Sequence, residues 1–171
     1  SGDYSRIIRH SHGEDALLMG WTQRTLVAWK ELGEQAGEQI FVESGVAWFV
    51  SGDGIWEAHS EQRMREAGVP CERITPEEAL HRWPTLGTDG LTSVLYEPTA
   101  GFLRAGNGVR AAARMFEREG GVIVRGRATP AADGSALDAS GAPITAGATV
   151  WAAGPWLPEL FPQLVGAEAE A

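Results

Sequence analysis

Helix-like and strand-like segments alternate along the chain, and glycine or proline stands at most of the junctions between them. The longest helical pattern covers residues 14–36, where apolar or small side chains recur at spacings of three or four. This period predicts a helix with one buried stripe. Six residues form the stripe: Leu17, Leu18, Trp21, Thr25, Ala28 and Leu32. Gly37 is a typical stop for such a helix.

Shorter helices and strands continue this alternation over the rest of the chain. Extended segments are predicted at residues 6–11, 40–42, 45–50, 92–96, 101–103, 122–124 and 149–154. Further helices are predicted at residues 55–67, after an N-cap at Thr75, from a cap at Asn107 to about residue 119, and after Pro155. Residues 130–147 are rich in Ala, Gly, Asp and Ser and predict a weak hairpin or loop. The whole pattern predicts a mixed α/β fold.

The composition excludes several classes of function. The net charge of −9 argues against a surface for nucleic acid or anionic membrane, because such surfaces need clustered lysine and arginine. No apolar run approaches the roughly 18–20 residues of a membrane span. The single cysteine, Cys71, excludes an internal disulfide and favours a reducing, cytoplasmic compartment.

Two arginines flank an isoleucine pair near the start of the chain. Arg6 and Arg9 are three residues apart, so in an extended segment they point to opposite faces. A guanidinium presents forked donors that match a carboxylate or another planar anion, which makes the pair a candidate anion site. The alternative is two surface arginines beside a buried isoleucine pair, and the residues alone favour that alternative slightly.

The histidines do not form a convincing metal site. His10 and His12 would share one face of a strand, but zinc needs at least a third protein ligand. His59 and His81 fall in predicted helices without a supporting ligand spacing. No metal site is therefore predicted.

The segment at 150–156 reads as an apolar strand that runs into Gly154 and then into a helix. A glycine at the carboxyl end of a strand allows a nucleotide to approach the backbone, although a simple turn has the same pattern. The sequence contains no Gly-x-Gly-x-x-Gly motif.

Four segments, in this order, resemble the FAD-dependent amine oxidases typified by sarcosine oxidase, within the D-amino-acid-oxidase-like group. They are residues 3–10 (Asp-Tyr-Ser-Arg-Ile-Ile-Arg-His), residues 45–49, residues 96–103 with the strand at 121–124, and residues 150–156. The resemblance implies an α/β fold built from parts of an FAD-binding Rossmann-like domain and a substrate-domain sheet with helices. The family's opening βαβ unit, whose glycine-rich loop holds the FAD pyrophosphate, is absent, so we expect an internal fragment.

The resemblance assigns roles to the arginine segment. Arg6 would be a catalytic and cofactor-binding residue against the flavin ring, where positive charge favours the anionic reduced flavin. Ile7 would lie near the edge of that ring, and Arg9 would bind the substrate carboxylate through a bidentate contact. Some relatives carry a histidine just before this segment, where residues 1–4 here read Ser-Gly-Asp-Tyr, so no role that depends on it is assigned.

The resemblance also places the cofactor's other contacts and divides the chain. Ala128 would contact the adenosine end of FAD through its backbone, and Ala153 and Gly154 would approach the FAD backbone. Residues 1–36 would link the cofactor and substrate domains, residues 37–100 would belong to the substrate domain, and residues 101–171 would form part of the FAD-binding domain.

The implied activity is oxidation of the C–N bond of an N-methyl amino acid or related amine by the full-length, FAD-dependent parent. The isolated fragment is expected to be inactive and to bind FAD weakly or not at all. The alternative is a non-catalytic α/β module that binds a small carboxylate through Arg6 and Arg9. Strands that lack the missing βαβ unit would leave an open sheet edge, so self-association is also expected.

Overall fold

The structure, a computed structural model, describes residues 4–85 and 87–165. It divides into two compact units, Ser1–Val122 and Ile123–Ala171. The described residues form six α-helices and three antiparallel three-stranded sheets, which confirms the predicted mixed α/β fold. None of the helices among these residues is long and apolar enough to cross a lipid bilayer.

Helices and short groups of strands follow one another along the described residues. The strands are β1 (Ser5–Ile8), β2 (Phe41–Val42), β3 (Val46–Val50), β4 (Glu72–Ile74), β5 (Ser93–Glu97), β6 (Gly101–Arg104), β7 (Thr129–Pro130), β8 (Ala136–Leu137) and β9 (Pro143–Ile144). The α-helices are α1 (Ala16–Ala36), α2 (Ile55–Glu66), α3 (Pro76–Arg82), α4 (Ala105–Arg118), α5 (Leu157–Leu160) and α6 (Pro162–Val165). A 3₁₀ turn, Gly154–Trp156, comes directly before α5.

The first sheet of the N-terminal unit has the order β1-β6-β2, with β6 in the centre and antiparallel to both neighbours. Helix α1 packs against α4 and β2. The two helices approach closely at Gly108 of α4, where a Cβ atom would lie 2.9 Å from the ring of Trp29 in α1. Glycine is therefore required at this crossing.

The second sheet has the order β3-β5-β4 and is buried on both faces. Val94 and Leu95 are consecutive residues of the central strand β5, so their side chains point to opposite faces, and both are fully buried. Leu95 packs with Met64 in one apolar cluster, and Val94 packs with Ala79 in another. Burial of apolar surface on both faces makes this sheet the core of the N-terminal unit.

The N-terminal caps show where local sequence signals are sufficient and where they fail. The hydroxyl of Thr75 accepts the Glu78 N–H at 3.2 Å, so the predicted cap of α3 is confirmed. The predicted cap at Asn107 is wrong, because α4 begins at Ala105. Asn107 lies inside the first turn of α4, and its amide oxygen accepts a hydrogen bond from Arg110 instead.

The helix predicted over residues 14–36 is confirmed, but its predicted buried stripe is wrong. The buried residues of α1 are Met19, Leu26 and Gly33, which are spaced by seven and lie on one face. Leu17 and Trp21, members of the predicted stripe, are exposed. The physical reason is that α1 contacts the rest of the unit through its Met19 face, while its second apolar face is uncovered by the described residues.

In the C-terminal unit, β7, β8 and β9 form a small meander, which confirms the hairpin predicted for residues 130–147. The strands predicted at 122–124 and 149–154 are wrong, because neither segment is extended in a ladder. A strand needs a neighbour that satisfies its backbone groups, and no described segment pairs with either one. Val124 and Val150 are accordingly 84% and 87% exposed.

Candidate active site

Arg6 and Ile7 lie on β1, at one edge of the first sheet. Successive side chains of a strand point to opposite faces, so the two residues face opposite sides of the sheet. Ile7 is 68% exposed, and Arg6 is exposed, with Nη1 donating to the carbonyl of Ser5 at 3.2 Å. Both predicted cofactor-binding residues are therefore accessible on an edge strand.

Arg9 follows the end of β1 and lies against two tryptophan rings. Its guanidinium carbon is 4.3 Å from the ring centroid of Trp48 and 5.4 Å from that of Trp56. The two rings meet edge to face, with centroids 5.1 Å apart. A cation over an aromatic face is attracted by the ring quadrupole, so the rings fix the position of the guanidinium. Sequence reasoning did not single out Trp48 or Trp56.

A fully buried carboxylate, Glu97, ends β5 and contacts the residues that follow Arg9. Its Oε1 accepts the indole N–H of Trp48 at 3.0 Å. Its Oε2 accepts the backbone N–H of His10 at 2.6 Å and that of Ser11 at 3.3 Å. One carboxylate thus connects the segment after Arg9 to the tryptophan under its guanidinium. Sequence reasoning did not single out Glu97.

The surroundings of Glu97 favour its charged form. Burial alone would raise the pKa of Glu97, but hydrogen bonds from His10, Ser11 and Trp48 outweigh burial and hold the pKa below its usual value. A buried carboxylate that accepts several N–H donors is a stable anion at neutral pH. The network therefore carries a buried negative charge close to the Arg9 segment.

The residues after Arg9 are buried with incomplete hydrogen bonding. His10 Nδ1 lies 3.6 Å from Glu97 Oε2, beyond a good hydrogen bond, and His10 Nδ1 and Ser11 Oγ have no hydrogen-bond partner among the described residues. His12 Nε2 lies 3.2 Å from the Thr22 hydroxyl, and burial, together with the charge of Arg9, lowers the pKa of His12. Within residues 4–85 and 87–165, no three His, Cys, Asp or Glu side chains are grouped to hold a metal ion.

A glycine turn fixes Trp56 beside this segment. Gly13 has a φ of +60°, and a Cβ atom there would lie 2.8 Å from Trp56 Nε1. The Gly13 N–H donates to the hydroxyl of Ser60, one turn further along α2, at 2.8 Å. Any side chain at position 13 would therefore displace the ring that borders Arg9.

The other predicted cofactor residues lie in the C-terminal unit. Ala128 lines a cavity of about 360 Å³ together with Arg125 and Arg127. Gly154 has a φ of +55°, and no atom lies within 4 Å of the position that a Cβ would take. Ala153 precedes it and is half-buried. The two arginines suit the anionic part of a dinucleotide, whereas Asp138, which lines the same cavity, does not, and the sequence has no glycine-rich phosphate loop.

The sequence as a whole matches one known family and several characterised enzymes. Residues 1–170 match the family described as FAD dependent oxidoreductase. The chain is 28% identical over 164 residues to a monomeric sarcosine oxidase of Streptomyces avermitilis, covering 94% of this chain and 43% of that protein. It is 25% identical over 164 residues to an N-methyl-L-tryptophan oxidase of Yersinia pestis, covering 94% and 44%. The chain spans less than half of the length of these relatives.

Solved structures share the fold. An L-proline dehydrogenase from P. horikoshii aligns with a TM-score of 0.76 at 20% identity, over 91% of this chain and 43% of that one. A glycine oxidase from Geobacillus kaustophilus aligns with a TM-score of 0.74 at 21% identity, over 94% and 46%. Because the family match extends over residues 1–170, this chain belongs to the family of FAD-dependent oxidoreductases.

Proposed function

We propose that the chain is part of a longer FAD-dependent oxidoreductase that oxidises the C–N bond of an N-methyl amino acid or a related amine. The observation that carries the proposal is the Arg9 guanidinium, held against the rings of Trp48 and Trp56, where the Trp48 indole is hydrogen-bonded to a buried carboxylate. The relatives described above, a sarcosine oxidase and an N-methyl-L-tryptophan oxidase, support the same substrate class.

Arg9 binds the carboxylate of the substrate in this proposal. Among the described residues no carboxylate forms an ion pair with Arg9, although other arginines of the same unit, such as Arg73 and Arg82, do have acidic partners. A guanidinium held by aromatic rings keeps its N–H donors for a ligand, and a bidentate contact then orients the amine toward the site of oxidation.

FAD supplies the electron acceptor, and several residues of this chain would hold it. Arg6 and Ile7 on the accessible β1 edge would face the flavin ring, where the charge of Arg6 stabilises developing negative charge. Ala128, Ala153 and Gly154 would meet the adenosine and backbone parts of the cofactor. The cavity beside Ala128 and the open backbone at Gly154 support these roles.

The test uses the full-length parent, which we expect to purify yellow with bound flavin. Arg9→Ala should raise KM for an N-methyl amino acid about 100-fold, because it removes a charge-assisted contact. KM for a matched amine without a carboxylate should stay within about threefold. Arg110→Ala, which removes an exposed arginine of α4, is the matched control. Equal effects of Arg9→Ala on the two substrates, or a folded colourless parent, would contradict the proposal.

A non-catalytic module for a small carboxylate is the competing function. Arg9, which has no acidic partner among the described residues, suits that function too, whereas the family match favours the oxidoreductase. That module should bind a carboxylate with the 171-residue chain alone, and an Arg6→Ala, Arg9→Ala double variant should lose the binding. Isothermal titration calorimetry of the unmodified 171-residue chain and of the double variant decides between the two functions. Binding without flavin, in a parent that has no oxidase activity, would favour the module.

Domain organisation, location and self-association belong to the same proposal. We assign residues 1–36 to a link between domains, residues 37–100 to the substrate domain and residues 101–171 to the FAD-binding domain. The single cysteine supports a cytoplasmic location. The β1 edge supports self-association of the 171-residue chain, and a monomeric mass in light scattering would contradict it.

A further inference from the structure

The buried carboxylate of Glu97 links the backbone after Arg9 to the ring on which the Arg9 guanidinium rests. We infer that Glu97 is a positioning residue, which fixes where Arg9 presents its donors to the substrate carboxylate. The inference rests on the proposed substrate-binding role of Arg9. It adds a second residue to that role, because Glu97 determines where Arg9 lies.

The first link is through the backbone. Strand β1 ends at Ile8, so no sheet ladder holds the chain at residues 9–11. Glu97 Oε2 takes the place of a ladder, because it accepts the N–H groups of His10 and Ser11. Both residues are buried, and without this acceptor their N–H groups would be shielded from water and unsatisfied. Without Glu97, residues 9–11 would therefore have to move.

The second link is through the ring. Glu97 Oε1 accepts the indole N–H of Trp48, so the ring cannot turn without losing that hydrogen bond. The guanidinium carbon of Arg9 lies 4.3 Å from the centroid of the same ring. One carboxylate thus determines both the backbone that carries Arg9 and the surface that supports its charge.

Only an ionised carboxylate can satisfy all of these donors at once. A glutamine at this position has one acceptor oxygen, and its NH₂ group would face either the indole N–H or the backbone N–H groups. Glu97→Gln therefore keeps the volume of the side chain, breaks one of the two links and removes the negative charge that strengthens the other. Trp48→Phe keeps an aromatic ring under Arg9 but removes the indole donor and part of the ring area.

A purely structural role for Glu97 predicts a different outcome, and the chain offers a matched control. Glu61 is a largely buried carboxylate of the same unit, and it accepts hydrogen bonds from Arg65 and Arg73, both at 2.7 Å. Its partners are distinct from those of Glu97. Glu61→Gln should therefore lower stability without moving the Arg9 segment.

The experiment uses the FAD-loaded full-length parent and four variants: Glu97→Gln, Trp48→Phe, Glu61→Gln and Arg9→Ala. Steady-state kinetics compare an N-methyl amino acid with a matched amine that lacks the carboxylate. Hydrogen exchange of the peptide that contains His10 and Ser11 reports the segment independently of any substrate. We expect Glu97→Gln to raise KM for the amino acid about tenfold, with kcat within about threefold and KM for the amine unchanged.

In the same variant, exchange at His10 and Ser11 should be at least about tenfold faster. Trp48→Phe should raise KM for the amino acid about threefold, and Glu61→Gln should change neither readout. An equal rise in KM for both substrates, or unchanged exchange at His10 and Ser11, would overturn the inference. If Glu97→Gln does not fold, Trp48→Phe decides by the same criterion of substrate selectivity.

The Arg9→Ala variant separates this inference from the proposed function. If that variant affects both substrates equally, Arg9 does not bind the substrate carboxylate and the proposed function fails. Hydrogen exchange at His10 and Ser11 still tests the role of Glu97, since it reports the backbone of these residues and not the reaction. Protected His10 and Ser11 amides in Glu97→Gln would overturn the positioning role even where Arg9→Ala is selective.

Discussion

The two compact units differ in how they satisfy the backbone of their apolar segments. In the N-terminal unit, β5 has a partner strand on each side, and its side chains are buried on both faces. In the C-terminal unit, the apolar segments at 123–124 and 149–154 have no partner strand among the described residues. Both are irregular, and Val124 and Val150 are largely exposed. Strand propensity therefore requires a neighbour before it becomes structure.

The same contrast holds for the polar residues. The N-terminal unit buries Glu97 and satisfies it with three N–H donors from two separate parts of the chain. The carboxylates of the C-terminal turns, Asp133 and Asp138, are exposed and accept hydrogen bonds from residues two to four positions away. Hydrogen bonds between distant parts of the chain therefore hold a fixed site in the N-terminal unit, whereas those of the C-terminal unit close only local turns.

The largest expected effect is on proteolysis. Arg125 and Arg127 are exposed in an irregular segment, while Arg73 lies in β4 and pairs with Glu61. Trypsin should cleave the 171-residue chain after Arg125 and Arg127 at least about 100-fold faster than after Arg73, because only Arg73 needs unfolding for access. Timed digestion with mass spectrometry measures the order, and simultaneous cleavage at the three sites would break the comparison.

Core truncation should have the next largest effect. Leu95→Ala removes a fully buried side chain and should lower the free energy of unfolding by about 3 kcal/mol. Val150→Ala changes a side chain that is 87% exposed and should lower it by less than about 0.5 kcal/mol. Urea denaturation of the 171-residue chain followed by tryptophan fluorescence gives both values. A large effect at Val150 would show that the chain covers this residue in solution.

Local signals explain how much of the fold could be predicted. The Thr75 cap depends only on neighbouring residues, so its pattern was sufficient. The stripe on α1 could not be assigned, because the helix carries two apolar faces and the sequence does not say which one meets the sheet. The segments at 122–124 and 149–154 have strand-like composition, but pairing depends on residues far away in sequence.

The candidate site was predictable only in part. The arginine segment stands out because Arg6 and Arg9 flank an apolar pair, and its resemblance to a known family gave the two arginines separate roles. Trp48 and Glu97 come together through the register of β3 with β5, where Trp48 lies opposite Leu95. One sequence does not fix that register. The available signal was that Glu97 shares a strand face with Leu95, which places an acidic residue on a core face.

The smallest expected effect concerns acid stability and contrasts two carboxyls whose pKa is lowered in the fold. For Glu97 the hydrogen bonds outweigh burial, and for Asp138 the Ser140 hydroxyl is the main cause. A carboxyl with a lowered folded pKa stabilises the fold above its unfolded pKa, which is about 4.5 for Glu97. That contribution is lost as the pH falls through the folded pKa. The stability difference between the unmodified chain and Glu97→Gln should therefore be constant near neutrality and shrink below about pH 4.5.

Asp138→Asn is the matched variant in the C-terminal unit. The pKa of Asp138 is lowered, as that of Glu97 is, but the replacement should affect stability differently. Asp138 is exposed, and water and salt screen its charge, so its neutralisation should leave the urea midpoint unchanged within error in about 0.5 M sodium chloride. Glu97 is shielded from salt, so its pH-dependent difference should persist under the same conditions. A salt-sensitive difference for Glu97→Gln would mean that water reaches this carboxylate. Glu97 would then not be a buried carboxylate held by distant parts of the chain, and its contrast with the exposed turn carboxylates would be wrong.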